Sequence, residues 1–303
     1  MKSESVQFVP AIDETGAGKG DQVMKFLTSL KNIRIWCALL LSLCVLAPLM
    51  MMVTISLNPD EEQIMISMGT IKGFIPHVFS LENYREIWGD PNQPFARYLF
   101  NTLFIVFTTV FMSIVVNSSA AFALAWGQGG YRKIVIGVVV ALLAIPGESL
   151  ALPQLLMVSK MGIIDSYEVQ ILPFIGNAMS LFLFYQFFTK IPKDLIDAAK
   201  VDGVSLFKTY FHIGLPLSKP VIATVAILQF LEFWNSYLWP VMVTRGPEYR
   251  PLSVAMSAYF GSNQAYWGNI MAFAVSMAIP VIIFFLFVQR HFVQSITGSA
   301  VKG

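Results

Sequence analysis

The chain has 303 residues, 56% of them hydrophobic and only 13% charged, where a water-soluble domain carries about 25%. Its mean hydropathy is +0.65, so too little polar surface is available to face water on all sides. The net charge of +2 argues against a nucleic-acid partner. The composition predicts an all-α integral membrane protein.

Residues 1–34 are read as an N-terminal segment on the cytoplasmic side. The first 22 are polar, rich in Gly, Glu and Asp, and expected to be disordered. The run Gly16-Ala17-Gly18-Lys19-Gly20 is no phosphate loop, because Gly20 stands where a metal-binding Ser or Thr belongs and Asp13 replaces the leading Gly. From Val23, a short segment with Phe26, Leu27 and Leu30 at helical spacing either lies along the membrane surface or extends the first helix.

A hydrocarbon core of about 30 Å needs roughly 20 apolar residues per helix. Six stretches qualify, near 35–57, 98–126, 134–158, 168–188, 221–244 and 266–289, giving a six-span domain over 35–290 and a tail over 291–303. The first lacks an A-x-A cleavage site and reads as a retained anchor. Cys37 and Cys44 within it are seven residues apart, about 10 Å along a helix and beyond disulfide reach. His77, His212 and His291 are scattered, and no metal-ligand spacing joins them. Several spans contain proline, and Pro146 and Pro153 mark either a broken helix or simple kinks. The connection 58–97 carries its own apolar residues, including Ile64, Ile66, Phe74 and Phe79, and is expected to pack into structure.

With the N-terminus inside, fourteen of the twenty Lys and Arg fall on the cytoplasmic side, and six (Lys72, Arg85, Arg97, Lys160, Arg245 and Arg250) fall outside. The positive-inside rule then puts both termini in the cytoplasm, as an even number of spans requires.

The loop 189–220 between the fourth and fifth spans is the most informative segment. Pro192 suits a first helical position and Asp194 the helix N-terminus. Leu195, Ile196 and Ala199 form an apolar face, and Gly203 suits a left-handed C-terminal cap. Ser205 can cap a second helix with Leu206, Phe207, Tyr210 and Phe211 as its stripe, ended by Pro216. Two short amphipathic helices joined at Gly203 make a docking element.

In this loop Asp197-Ala198-Ala199, three residues, Gly203, nine residues, Ile213, one residue and Leu215-Pro216 resemble the "EAA" loop of ABC importer permeases, with Asp in place of Glu. Phe233-Trp234-Asn235-Ser236-Tyr237-Leu238-Trp239-Pro240 and the ending Val301-Lys302-Gly303 resemble the maltose-type branch of binding-protein-dependent sugar transporters. The resemblance covers residues 30–303. It implies an inner-membrane permease that couples through Asp197, Ala198, Ala199, Gly203, Ile213, Leu215 and Pro216, with Lys302 and Gly303 as a tail contact. It also implies a homologous second permease, two ABC ATPase subunits and an extracytoplasmic solute-binding protein as partners. ATP and Mg would then belong to the ATPase subunits, leaving this chain without a cofactor or catalytic role. The shorter Asp197 either meets a partner cation or pairs locally with Lys193 or Lys200.

Glu148 and Glu232 are acids inside expected spans. Burying such a charge in lipid costs about 2.5–3.5 kcal/mol on insertion scales, so they should face a cavity or partner. With Trp234, Asn235 and Tyr237 they are the candidate lining of a solute path. An ion-coupled secondary carrier using the same two glutamates is the competing class, but it has no need of the docking loop.

Overall fold

The computed structural model describes residues 15–75, 78–127, 129–262 and 266–300, with side chains described over 35–75, 78–127, 129–261 and 266–288. Every regular element among these residues is helical. In chain order they are α1 (Thr15–Ser56), α2 (Glu61–Ser67), α3 (Glu82–Gly89), α4 (Phe95–Trp126), α5 (Arg132–Leu142), α6 (Ala151–Lys160), α7 (Glu168–Ile171) and α8 (Ala178–Phe188). There follow α9 (Lys193–Val201), α10 (Leu206–Thr209), α11 (Leu215–Leu217), α12 (Lys219–Trp234), α13 (Leu238–Val243), α14 (Leu252–Ser262) and α15 (Trp267–Ala300).

The helix α4 is the axis of the molecule. Its 32 residues contain neither Gly nor Pro, so nothing interrupts its hydrogen-bond ladder over about 48 Å. Pro94 precedes it, and the Gly127 N–H closes it on Ala123 O at 2.8 Å. Three apolar clusters are strung along it. Near its start, Phe95 and Tyr98 pack with Ile87, Leu252, Tyr259 and Phe273. At mid-length, Val106 and Val110 pack with Phe230 and Trp234. At its end, Phe122 and Ala125 pack with Phe184, Phe188, Ile196 and Tyr210. The two ends of α4 therefore belong to two different faces of the molecule.

Four helical stretches are long and apolar enough to cross a membrane, and broken pairs bring the number to six. The breaks decide for a broken helix in the third span, one of the two alternatives its prolines left open, and interrupt stretches expected as single helices in the fourth and fifth. The third expected span, 134–158, is two helical pieces, α5 and a 3-10 turn running into α6, bent by 97°. The break falls before Pro146, whose ring excludes the α conformation from the residue ahead of it. Pro153 lies in the first turns of α6, where a missing N–H costs little. The fourth span starts as α7, passes through a 3-10 turn with Pro173, and resumes as α8. The fifth, expected over 221–244, ends at Trp234 and resumes at Leu238. The expected loop between the fifth and sixth spans contains another apolar helix, α14. Segment 58–97 folds into α2, a 3-10 turn and α3. Asp60 caps α2 by accepting from Glu62 N at 3.0 Å and Gln63 N at 3.2 Å.

Two boundaries also differ. The helix α1 begins at Thr15, so residues 15–22 of the segment expected to be disordered are helical. Extending an existing helix avoids the nucleation cost. The helix α15 continues to Ala300, with no break marking the expected tail at 291. The amphipathic pattern at Val23–Leu30 and the residues Lys302 and Gly303 lie outside the residues described at side-chain level.

Two asparagines of α4 hold the interrupted backbone of its neighbours. Asn101 donates to Glu248 O and Arg250 O, both at 2.9 Å, and accepts from the Tyr167 hydroxyl at 2.7 Å. Asn117 donates to Ile175 O at 2.8 Å and accepts from Asn177 N at 3.1 Å, bridging the break before α8. Beside it, Gln229 of α12 donates to Ser113 and Ser180 hydroxyls, both at 2.7 Å. These groups are buried, where an unpaired polar group costs about 1–3 kcal/mol. Asn117→Leu should therefore destabilise the protein by about 1–3 kcal/mol, while Ser119→Ala, at an exposed position of the same helix, should be near neutral. Thermal melting of the purified protein in nanodiscs checks this, and equal melting of both variants would refute it.

Candidate coupling loop and membrane pathway

Pro192 takes the N-cap position with ψ 132°, so α9 starts one residue later than expected. Ile196, 1% exposed, turns inward onto the cluster at the end of α4, and Ala199 is buried. Leu195 is 46% exposed, which removes it from the expected inner face. Asp197 and Ala198 face outward, and Ala198 and the largely buried Ala199 both line the recess between α9 and α10.

Gly203 has φ +70°. Its N–H reaches Lys200 O at 3.0 Å, and the Val204 N–H reaches Ala199 O at 2.9 Å. This is the Schellman pairing that ends a helix at a left-handed residue. A Cβ at Gly203 would meet nothing within 4 Å, so the requirement for glycine comes from backbone conformation and not from space.

Asp197 pairs with Lys200 at 3.2 Å, the local partner of the alternatives its sequence context offered. Both side chains are more than half exposed, and such pairs contribute only about 0–1 kcal/mol. The carboxylate is thus free to exchange partners at little cost.

Ser205 caps the next helix, its hydroxyl accepting from Lys208 N at 3.4 Å. The helix α10 then widens into a π-helical stretch, Tyr210–Gly214, before α11. The expected stop at Pro216 does not occur there. The π turn lets the Leu215 N–H bond Tyr210 O, and the chain turns only at Ser218, with α12 leaving at 75°. Of the expected stripe, Tyr210 is buried while Leu206, Phe207 and Phe211 remain exposed.

Two contacts tie the loop to α4. The hydroxyls of Tyr210 and Ser118 lie 2.7 Å apart. Gly214 sits so close to the Phe122 ring that an added Cβ would come within 2.7 Å of it. Ile213 and Leu215 pack against the same cluster, whereas Pro216 is exposed. Between α9 and α10 runs a recess of about 470 Å³ with Ala198, Asp202, Lys208 and His212 in its lining. The loop is therefore a rigid pedestal with an outward groove, and its position follows that of α4.

The candidate pathway residues divide. Glu148 is exposed in the 3-10 turn after the α5 break, and Glu232 is exposed on α12. Asn235 and Tyr237 are exposed in the gap between α12 and α13. There Asn235 donates to Leu231 O at 2.8 Å, and the Tyr237 hydroxyl lies 3.2 Å from that of Ser257. Trp234 does not join them. It is 2% exposed and stacked on Phe230, with ring centroids 5.4 Å apart, because its position on α12 turns it toward α4. The 235–237 gap interrupts the helix directly after the turn that carries Glu232. The reading from charges alone missed Asn101, Asn117 and Gln229. Their signal was present as amide side chains inside otherwise apolar runs.

The model of the binding-protein-dependent transport system inner membrane component family matches residues 95–298, from α4 onward. The chain is 32% identical over 265 residues to the arabinooligosaccharides transport system permease protein AraQ of Bacillus subtilis, covering 88% of this chain and 93% of that protein. It is 28% identical over 278 residues to the sn-glycerol-3-phosphate transport system permease protein UgpE of Yersinia enterocolitica, covering 89% and 98%. Its fold matches a chain of a bacterial ABC transporter that imports the acidic polysaccharide alginate, with TM-score 0.75 at 21% identity over 94% of this chain and all of the other. The docking loop, the broken spans and these matches together make the chain a member of the family of inner-membrane components of binding-protein-dependent transport systems.

Proposed function

We propose that this chain is the permease subunit of an ATP-driven carbohydrate importer, forming half of the translocation pore beside a homologous permease. The observation that carries this reading is the α9–α11 pedestal, an exposed docking surface fixed to α4 through Tyr210–Ser118 and Gly214–Phe122. Two ATPase subunits, which hold ATP and Mg, engage the outward side of α9 at Asp197 and Ala198. Their closure moves the pedestal, and α4 with it, as one body. Hydrolysis belongs to those subunits and this chain has no catalytic residue. A solute-binding protein delivers the cargo at the opposite face, and a structure related in fold to this chain is of an alginate transporter in complex with its periplasmic protein. The fourteen-to-six division of Lys and Arg supports both termini and the pedestal in the cytoplasm and α2, α3 and the start of α15 outside.

Uptake should require the partners. In proteoliposomes the chain alone should not accumulate sugar under a proton or sodium gradient, whereas the complex with ATPases and binding protein should do so on addition of ATP. Uptake by the isolated chain would favour the ion-coupled carrier.

Orientation is measurable by labelling. In a background lacking Cys37 and Cys44, a cysteine near Lys208 should be shielded from an impermeant thiol reagent applied outside, and one near Asn92 should react. Reaction at Lys208 would reverse the assignment.

Coupling substitutions should separate by mechanism. Gly203→Asn, which tolerates positive φ, should retain most transport, while Gly203→Val should lose stability by about 1–2 kcal/mol through its Cβ in the left-handed region. Ala198→Arg should detach the ATPases while leaving the fold intact, and Ala199→Arg should unfold the pedestal itself. Co-purification of the ATPase and melting temperature, read together, distinguish these outcomes. An Ala198→Arg complex that keeps its ATPases and full uptake would remove Ala198 from the interface.

A further inference from the structure

The three interrupted spans share one plan. In each, one piece is bound to the end of α4 that carries the pedestal, and the other piece packs elsewhere. Phe184 and Phe188 of α8 and Val225 of α12 lie in the cluster at that end. The helix α5 is held there by Arg132, whose Nε donates to the Tyr185 hydroxyl at 2.7 Å and whose Nη1 donates to Ala125 O at 3.2 Å. The remaining pieces, α6, α7 and α13, pack on one another. Val158, Val169, Trp239 and Val243 form their common cluster, and the buried Trp239 indole N–H donates to Val169 O at 2.9 Å. The breaks at 143–146, 175–177 and 235–237 therefore divide one set of three helices from another. The second set meets α4 through the Asn101 side chain, which holds Tyr167, Glu248 and Arg250.

The far end of this second set is closed by Asp165, in the turn between α6 and α7. Among the described residues it is the one non-glycine residue with positive φ, +60°. A side chain is strained in that region, and aspartate enters it chiefly where its own hydrogen bonds compensate. The Asp165 N–H donates to Val243 O, and its carboxylate accepts from Arg245 N, both at 2.9 Å. A residue that only shaped its turn would bond within that turn. Asp165 instead directs its N–H and its carboxylate to the end of another span, 80 positions along the chain. The connection after α13 is fixed to α7 as well, since Gln170 donates to Tyr249 O at 2.8 Å, and Arg250 braces it by donating to Arg245 O at 3.1 Å. Strain of this kind persists where the surroundings determine it, and it collects in parts of proteins that move or bind.

We propose that Asp165 is a positioning residue for transport, which clasps α6, α7 and α13 into one body so that flexing at the three breaks displaces them together. This rests on the ATP-driven importer reading above. The two separately packed sets supply the bodies, because close-packed clusters move as units. The breaks supply the joints, and the clasp keeps the ends of α6, α7 and α13 from parting.

Hydrogen–deuterium exchange on the complete transporter in nanodiscs tests this, with and without ATP and vanadate. In the wild type, peptides across 143–146 and 235–237 should change their exchange when ATP and vanadate are added. Peptides 161–167 and 242–246 should stay protected in both conditions. Asp165→Gly accepts positive φ without strain but has no carboxylate. It should speed exchange in 242–246 about tenfold, the effect of losing one hydrogen bond to a charged group, and that segment should then respond to ATP and vanadate separately from 161–167. Asp165→Asn keeps an acceptor and tolerates positive φ, so it should restore the wild-type pattern. A glycine variant that matched the wild type would confine Asp165 to its own turn and overturn the inference. So would loss of protection at 161–167 or 242–246 in the wild type with ATP and vanadate, because the three helices would then not travel as one body. This wild-type arm decides the matter even where the glycine variant does not fold. Exchange unaffected by ATP and vanadate at every peptide of the wild-type chain would instead remove the ATP-driven reading, and this inference with it.

Discussion

An unpaired backbone carbonyl or N–H has no water to turn to inside a bilayer, and this fold is arranged around that fact. Its helices are interrupted at the α5–α6 joint, before α8, and between α12 and α13. Each interruption frees backbone groups that must find partners. The uninterrupted α4 supplies many of them. Asn117 reaches both sides of the break before α8, Asn101 holds the carbonyls that precede α14, and Thr102 accepts from the Leu252 N–H at 2.7 Å. One intact helix thereby permits several broken ones.

The same arrangement serves transport. A broken helix exposes polar backbone at membrane depth and can change angle at its joint, and a continuous one transmits displacement over its length. The helix α4 joins the pedestal at one end to α3, α14 and the start of α15 at the other, through clusters of aromatic and aliphatic side chains. Closely packed interiors move as units and do not deform smoothly. Under the function proposed above, a shift imposed on Tyr210 and Gly214 reaches the breaks as motion of a rigid body. On α1 the side chains of Trp36, Leu39, Leu40 and Leu43 turn outward, an apolar face suited to lipid.

The reading of the loop from sequence reached its backbone with some accuracy, because local rules govern short helices. Gly203 adopts the left-handed conformation that its place after an amphipathic turn required, and Ser205 caps the start of α10. The errors lie where a side chain's direction depends on its packed neighbours. Leu195, Phe207 and Phe211 have the spacing of an inner face yet point outward, since the loop rests on α4 through only one narrow side. Trp234 has the polar tip expected along a pathway, but the shape of the cluster around Val106, Val110 and Phe230 draws it inside.

Composition alone determined that the chain lives in a membrane, since 13% charged residues cannot solvate 303. Local spacing determined the number of apolar stretches and the docking element, because a helix needs about 20 apolar residues to cross and a glycine to stop at positive φ. Tertiary structure alone decided where the spans break, which of Ala198 and Ala199 is buried, and that Asn269 and Glu86, 183 positions apart in the chain, meet in a hydrogen bond. Proline and glycine are tolerated in membrane helices whenever a neighbour re-satisfies the backbone, so their presence does not say which will become a joint. At the break before α8 the freed groups are met by Asn117 of α4, and such an arrival is a property of the packed molecule.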